Sequence, residues 1–175
     1  MAQIGDTVIV DGEDYLSGGA FRLEETPESS NMATFDDWKV EIEKENPYAV
    51  VRTQRTIAEG YLVETLYEHL QRGLDILSIQ NDADHRCREL HTERIVAWSE
   101  EGNQLLRVVG IADVTMSTSA SVTVRDEEGN IVERDSPETE WHESLRFFRL
   151  SQSTDDLFDA YRNAFLALET LLSDR

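Results

Sequence analysis

Residues 37–79 carry the pattern that decides the fold: DWKVEIEKENPYAVVRTQRTIAEGYLVETLYEHLQRGLDILSI. In 37–44 apolar side chains alternate with charged ones, which is typical of a half-buried β-strand. An Asn-Pro turn signal then separates this run from a second β-favouring run at 48–56. The sequence therefore predicts a β-hairpin over 37–56.

The second half of this stretch has the period of an amphipathic helix. Thr56 followed by Glu59 fits a capping box, which marks a helix start. The apolar residues that recur at helical spacing are Leu62, Val63, Leu66, Tyr67, Leu70, Leu74 and Leu77. We predict a helix over 58–79 whose apolar stripe packs on a sheet.

Downstream of this unit the sequence predicts more strands and a second helix. The further strand candidates are 93–99, 104–125, 131–135 and 141–150. Ser153 and Asp156 give a second capping signature, and a broad apolar stripe follows it over 154–173. The residues of that stripe are Leu157, Phe158, Tyr161, Ala164, Phe165, Leu168, Leu171 and Leu172.

Upstream, the sequence predicts an irregular N-terminal arm over 1–34, with short strand candidates at 7–10 and 20–23. We expect residues 35–175 to form a single domain. The expected class is α+β: a mostly antiparallel sheet with two long helices packed on one face. A chain of 175 residues can bury a core of this kind without a metal or a disulfide.

The composition excludes several classes of function and location. With 36 acidic against 16 basic residues, the formal net charge is −20, which disfavours binding to nucleic acid. The two lysines among the basic residues favour a salt-loving archaeal source, and the alternative is an ordinary acidic bacterial protein. No apolar run is long enough to cross a membrane, no secretory signal is visible, and the single cysteine fits the cytoplasm.

One polar segment, NDADHRCRELH at 81–91, carries two candidate chemistries. As a metal site, His85, Cys87 and His91 would supply imidazole and thiolate ligands. Their spacing matches no standard zinc module, so we expect a polar linker without a bound metal. As a nuclease site, Arg86 and His91 match the short arginine-to-histidine motif of HEPN-class ribonucleases, in which the pair polarises a phosphate and moves a proton.

Other reactive patterns are missing from the sequence. The serines at 117–121 follow strand alternation without a nucleophile elbow, and the Gly-Gly pair at 18–19 lacks the rest of a phosphate-binding loop. We therefore expect no cofactor, and the absence of converging reactive groups favours a non-catalytic protein over an enzyme.

The wide stripe of the second helix is the main indication of a partner. The sheet can cover one side of this stripe. The remaining apolar residues, Phe165, Leu168 and Leu172, should contact another protein surface, because an apolar patch this large is seldom left exposed to water. We expect either a symmetric homodimer or a downstream helical region as the partner.

Two segments resemble a known family. They are YEHLQRGLDILS at 67–78 and FRLSQSTDDLFDAYRNAFLALE at 148–169, and both are similar to the methylamine-utilisation J-type (MauJ-like) proteins. Members of that family are longer and have a helical C-terminal part with a histidine-containing motif of HEPN type. The resemblance implies that this chain corresponds to their N-terminal part, and it carries over no catalytic residue.

Three functions therefore remain open from the sequence. The one favoured is a non-catalytic interaction or sensing module. The alternatives are a HEPN-like nuclease that uses Arg86 and His91, and a small-ligand-binding domain with the ligand between sheet and helices.

Overall fold

The computed structural model describes residues 1–81, 85–87, 93–100, 103–110 and 140–173. Within these ranges the chain forms eight strands and three helices. The strands are β1 Ala2–Ile4, β2 Thr7–Val10, β3 Ser17–Arg22, β4 Asn31–Phe35, β5 Trp38–Ile42, β6 Tyr48–Thr53, β7 Arg94–Glu100 and β8 Asn103–Val109. The helices are α1 Glu59–Asn81, α2 Glu143–Ser153 and α3 Leu157–Ser173.

Six of the strands form one antiparallel sheet in the order β4-β5-β6-β3-β7-β8. The strands β1 and β2 pair separately as a small antiparallel hairpin. The predicted α+β class with an antiparallel sheet is confirmed.

The sheet is covered on both faces near its centre. Helix α1 lies on one face, where its leucines pack with Phe35, Val40 and Val51 in the main core. The β1–β2 hairpin lies against the other face and closes a smaller core. The buried residues of that second core are Ile9, Val10, Ala20, Val50 and Ala97.

The strand candidates at 7–10 and 20–23 are confirmed as β2 and the second half of β3, but the segment is not irregular, because it supplies β1 to β3 and most of β4. Strand β3 even lies inside the sheet, between β6 and β7. Its glycines concealed its first half, since glycine weakens a strand signal. Their role is close packing: a Cβ at Gly18 would overlap the backbone of Ile9, and one at Gly19 would lie 3.2 Å from Leu66 of α1.

The strands and the helix in the middle of the chain lie where the sequence predicts them. The hairpin over 37–56 is β5 and β6, the helix predicted at 58–79 is α1, and β7 begins one residue after its prediction. Strand β8 covers the start of the long strand predicted at 104–125. The remainder of that strand beyond 110, and the strand predicted at 131–135, lie outside the described residues.

The strand predicted at 141–150 is a helix, α2, and this correction has a physical cause. His142 caps the helix: its Nδ1 accepts a hydrogen bond from the backbone N–H of Ser144 at 3.1 Å. The fully buried positions of α2 are Ser144, Arg149 and Ser153, which are polar. The prediction failed because RFFRL is a short run with two aromatic residues, and such short apolar runs are ambiguous between strand and helix.

The second predicted helix is present as α3 and begins three residues later than expected. Asp156 caps it, because its Oδ1 accepts hydrogen bonds from the backbone N–H groups of Phe158 and Asp159, both at 2.9 Å. Helix α3 packs chiefly against α2 rather than directly on the sheet, and none of its residues is fully buried.

Candidate interaction surface

The most distinctive surface of the described chain is the side of α3 that points away from α2. We call it the outer face of α3. Its residues are Leu157, Phe158, Tyr161, Phe165, Leu168, Leu171 and Leu172, and each exposes between 54% and 84% of its surface. Apolar patches of this kind commonly mark sites of protein–protein contact.

The opposite side of the same helix is the one that α2 covers. The half-buried residues there are Ala160, Asn163, Leu166, Ala167 and Thr170, and the two alanines let the helices approach closely. With 3.6 residues per turn, this set lies about half a turn away from the outer face. Helix α3 therefore has two contact faces, and among the described residues only the one toward α2 is covered.

The structure brings Phe165, Leu168 and Leu172 together on the outer face, as the sequence predicts. It differs from the expectation in one respect: the sheet does not bury part of the stripe, because α2 separates α3 from it. The exposed apolar surface is consequently wider than expected and includes Leu157 and Phe158 at the start of the helix.

A buried ion pair anchors the α2–α3 hairpin to α1. Arg149 of α2 donates from Nε to Asp75 Oδ1 at 2.6 Å, and the two side chains expose 6% and 1% of their surface. The same guanidinium donates to Gln71 Oε1 at 2.7 Å and to the backbone carbonyl of His85 at 3.3 Å. Every nitrogen of Arg149 thus has an acceptor, which is the condition under which a buried ion pair is tolerated.

Trp141 completes the anchor beside α1. Its indole Nε1 donates to Asp75 Oδ2 at 3.1 Å, and the guanidinium of Arg72 lies 4.8 Å from the centre of its ring. Burial raises the pKa of the Asp75 carboxyl, while the charge of Arg149 and the hydrogen bonds to Arg149 and Trp141 oppose that rise. Both carboxylate oxygens of Asp75 thus have a donor, Arg149 Nε and Trp141 Nε1. The arrangement therefore serves to fix α2 on α1 rather than to present a reactive group.

The candidate metal and nuclease residues lie beside this anchor. Cys87 forms an isolated β-bridge with Leu23 and packs against the main core. Burial raises the pKa of its thiol to about 12, so the thiolate that a metal ligand or a nucleophile needs is disfavoured at neutral pH. The carbonyl of His85 is taken by Arg149, and that of Arg86 accepts from the backbone N–H of Glu24 at 2.8 Å.

His91 lies outside the described residues, so neither the Arg86–His91 pair nor the set of His85, Cys87 and His91 is brought together in the described structure. Over the described ranges, no group of three or more histidine, cysteine, aspartate or glutamate side chains is placed to hold a metal ion. The absence of a bound metal stays a prediction.

The anchor is the feature that sequence reasoning missed. Asp75 and Arg149 are 74 residues apart, and no local pattern connects them. One signal was present for each: Asp75 interrupts the apolar run of α1 between Leu74 and Ile76, and Arg149 stands within RFFRL. A charged residue in an apolar stripe indicates a buried partner elsewhere in the chain.

No protein-family model matches the chain, and neither does any curated protein or solved structure. Among the helices described here, none is both long and apolar enough to cross a membrane.

Proposed function

We propose that the chain is a non-catalytic protein-interaction module and that the outer face of α3 is its contact surface. The observation that carries the proposal is the exposure of seven large apolar side chains on one side of a well-formed, capped helix. Burial of each large side chain against a partner is worth on the order of 1.5–3 kcal/mol.

The anchor supports this assignment because it places the surface. A contact helix that is held in one position binds more tightly, since mobility before binding adds an entropic cost to association. The satisfied Arg149–Asp75 pair holds α2, and α2 supports the inner face of α3. The resulting surface is apolar, and the exposed charges Arg162 and Glu169 lie along one of its edges.

Photo-crosslinking tests this function directly. A benzoylphenylalanine placed at Tyr161, on the outer face, should form a covalent adduct with a protein in cells that naturally contain the chain. The matched control is the same substitution at Tyr61 of α1, which is similarly exposed but lies outside the face. We expect an adduct from Tyr161 that Leu172→Glu abolishes, and none from Tyr61. Equal labelling at both positions, or no adduct at Tyr161, would contradict the proposed function.

The surroundings in which the module works are a further part of the proposal. We infer a cytoplasm of high salt from the net charge of −20 and the two lysines, since dissolved ions screen repulsion between the carboxylates. The thermal unfolding midpoint should therefore rise between low and molar KCl. A flat or falling midpoint would contradict the halophilic assignment and would leave the contact surface unaffected.

A further inference from the structure

We infer that the outer face of α3 binds the same face of a second copy of this chain, with the two α3 helices antiparallel. The inference rests on the proposed interaction function and names its partner. It is carried by the spacing of the apolar residues, by the position of two charges and by the near neutrality of the helix.

The spacing within the outer face is that of a coiled-coil seam. Five of its residues follow one another at alternating intervals of three and four positions. They are Phe158, Tyr161, Phe165, Leu168 and Leu172. This is the a/d repeat of helices that pack side by side, so the geometry fits another helix as the partner. Leu157 and Leu171 flank the seam on one side and widen the apolar surface.

The two charged residues on the other flank select the orientation. Arg162 and Glu169 are both exposed and lie seven positions apart, at equivalent places in the repeat. In an antiparallel pair with Phe165 opposite Leu168 of the second copy, Arg162 lies opposite Glu169 of that copy. Two-fold symmetry repeats the same pair at the other end, so both charges of each helix have opposite partners.

A parallel pair lacks this complementarity. In parallel packing the flanking residue that faces Arg162 is Leu157 of the second copy, and the one that faces Glu169 is an alanine, Ala164. Charge pairing therefore favours the antiparallel arrangement. It also places an aromatic side chain against a leucine in each central layer, such as Tyr161 against Leu172, which fills the space evenly.

The helix is suited to self-association although the whole chain is acidic. Its charged residues are Asp159, Arg162 and Glu169, a net charge of −1 in 17 residues, whereas the chain carries −20. The exposed apolar side chains offer on the order of 700 Å² per helix, close to the roughly 800 Å² per partner of a standard interface. The carboxylates elsewhere repel, and salt screens that repulsion.

Charge reversal provides the test. Sedimentation velocity of the purified chain in roughly 0.3 M KCl, where the Debye length is short, should show a dimer at micromolar concentration. Arg162→Glu alone and Glu169→Arg alone each place like charges opposite one another twice. We expect each variant to raise the dimer Kd by about tenfold, with unchanged circular dichroism because both positions are exposed.

Mixing the two variants is the decisive step. In an equimolar mixture of Arg162→Glu and Glu169→Arg, an antiparallel heterodimer has opposite charges at both ends, so association should return to the wild-type Kd. The double variant, with both charges exchanged, should also return to it. If the mixture stays as weak as the single variants, or if neither reversal changes the Kd, the antiparallel arrangement is overturned.

The inference and the proposed function can fail separately. A wild-type chain that remains monomeric at about 100 µM, a concentration well above that of a micromolar complex, overturns the second copy as partner. If the Tyr161 crosslink nevertheless forms with a different protein, the interaction function stands. If that crosslink is absent as well, both proposals are overturned.

Discussion

Helices α1 and α3 have similar apolar stripes but opposite surroundings. The leucines of α1, such as Leu66 and Leu70, are fully buried against the sheet. Those of α3, such as Leu168 and Leu172, expose more than half of their surface. The same kind of apolar period thus belongs to a buried helix, α1, and to a helix with an exposed apolar face, α3.

The difference lies in what each helix packs against. Helix α1 meets a sheet that presents a broad row of inward side chains, including Phe35, Val40 and Val51. Among the described elements, α3 packs chiefly against α2, which is shorter and is held by a polar anchor. An apolar stripe therefore requires a partner surface, and it does not specify whether that surface belongs to the same chain.

The largest expected effect comes from breaking the anchor between the two regions. Asp75→Ala leaves Arg149 buried without its counter-charge, so we expect the free energy of unfolding to fall by about 3–5 kcal/mol. The measurement is urea denaturation. The matched control is Glu68→Ala, which removes the exposed partner of Arg72 on the same helix and should cost less than about 0.5 kcal/mol.

A second variant separates the charge from the packing at this anchor. Replacing both partners, as in Asp75→Leu with Arg149→Met, removes the unpaired charge and should recover most of the loss. If the single and double variants lower the free energy of unfolding equally, side-chain packing rather than the ion pair holds α2 on α1.

The next effect tests the comparison between the two helices directly. Leu70 is fully buried, so Leu70→Ala should lower the free energy of unfolding by about 2–5 kcal/mol. Leu168 is 54% exposed, and Leu168→Ala should change it by less than about 0.5 kcal/mol in the monomer. Both are measured by urea denaturation at a concentration below dimerisation. A large loss from Leu168→Ala under those conditions would show that the chain itself covers α3.

The sequence predicts the covered region well because its signals are local. The hairpin β5–β6 alternates strictly, and α1 repeats its leucines at helical spacing after a capping box. Strand β3 was predicted only in its second half, at 20–23, because Gly18 and Gly19 carry no side chain that could show alternation. Its interior place depends on Ile9 and Leu66, which approach it from opposite faces.

The candidate site was predictable in part. The outer face of α3 could be recognised from its apolar period, including Phe165, Leu168 and Leu172. The sequence does not predict that the sheet leaves this face exposed. That outcome depends on α2, whose fully buried residues are polar. The anchor joins Asp75 to Arg149 across 74 residues, and pairing at that distance arises only from the fold.

A smaller effect measures how closely α1 is fitted to the sheet. A Cβ at Gly73 would overlap the side chain of Val40, whereas one at Gly60 would meet nothing within 4 Å. Gly60→Ala should therefore stabilise by about 0.5–1 kcal/mol through helix propensity. Gly73→Ala should destabilise by about 1–2 kcal/mol, because overpacking outweighs that gain.

The control for this pair relieves the overlap. Adding Val40→Ala to Gly73→Ala should cost less than the sum of the two single substitutions, since the new methyl group then occupies the vacated space. Strict additivity in thermal or urea denaturation would indicate that α1 and β5 are not in close contact at this point.

The smallest expected effect is a pH dependence of stability that belongs to the covered region. His69 of α1 stacks on Trp38 with ring centres 3.8 Å apart, and its Nδ1 lies 2.8 Å from the carbonyl oxygen of Thr65. Burial lowers the pKa of His69 from 6.5, and Arg72 adds to this, while the Thr65 carbonyl and the carboxylates of Glu68 and Asp36 oppose it.

Because the pKa of His69 is lower in the folded state, the unfolded chain binds the proton more readily. The free energy of unfolding should therefore be constant above about pH 7 and should decrease as the pH falls below the unfolded value of about 6.5. His69→Phe keeps an aromatic ring beside Trp38 and removes the titration. Urea denaturation of both proteins between pH 5 and 7.5 should show a steeper loss for the wild type. If the free energy of unfolding depends on pH equally in both proteins, the pKa of His69 is the same in the folded and unfolded chains. This part of α1 would then be less well buried than its leucines.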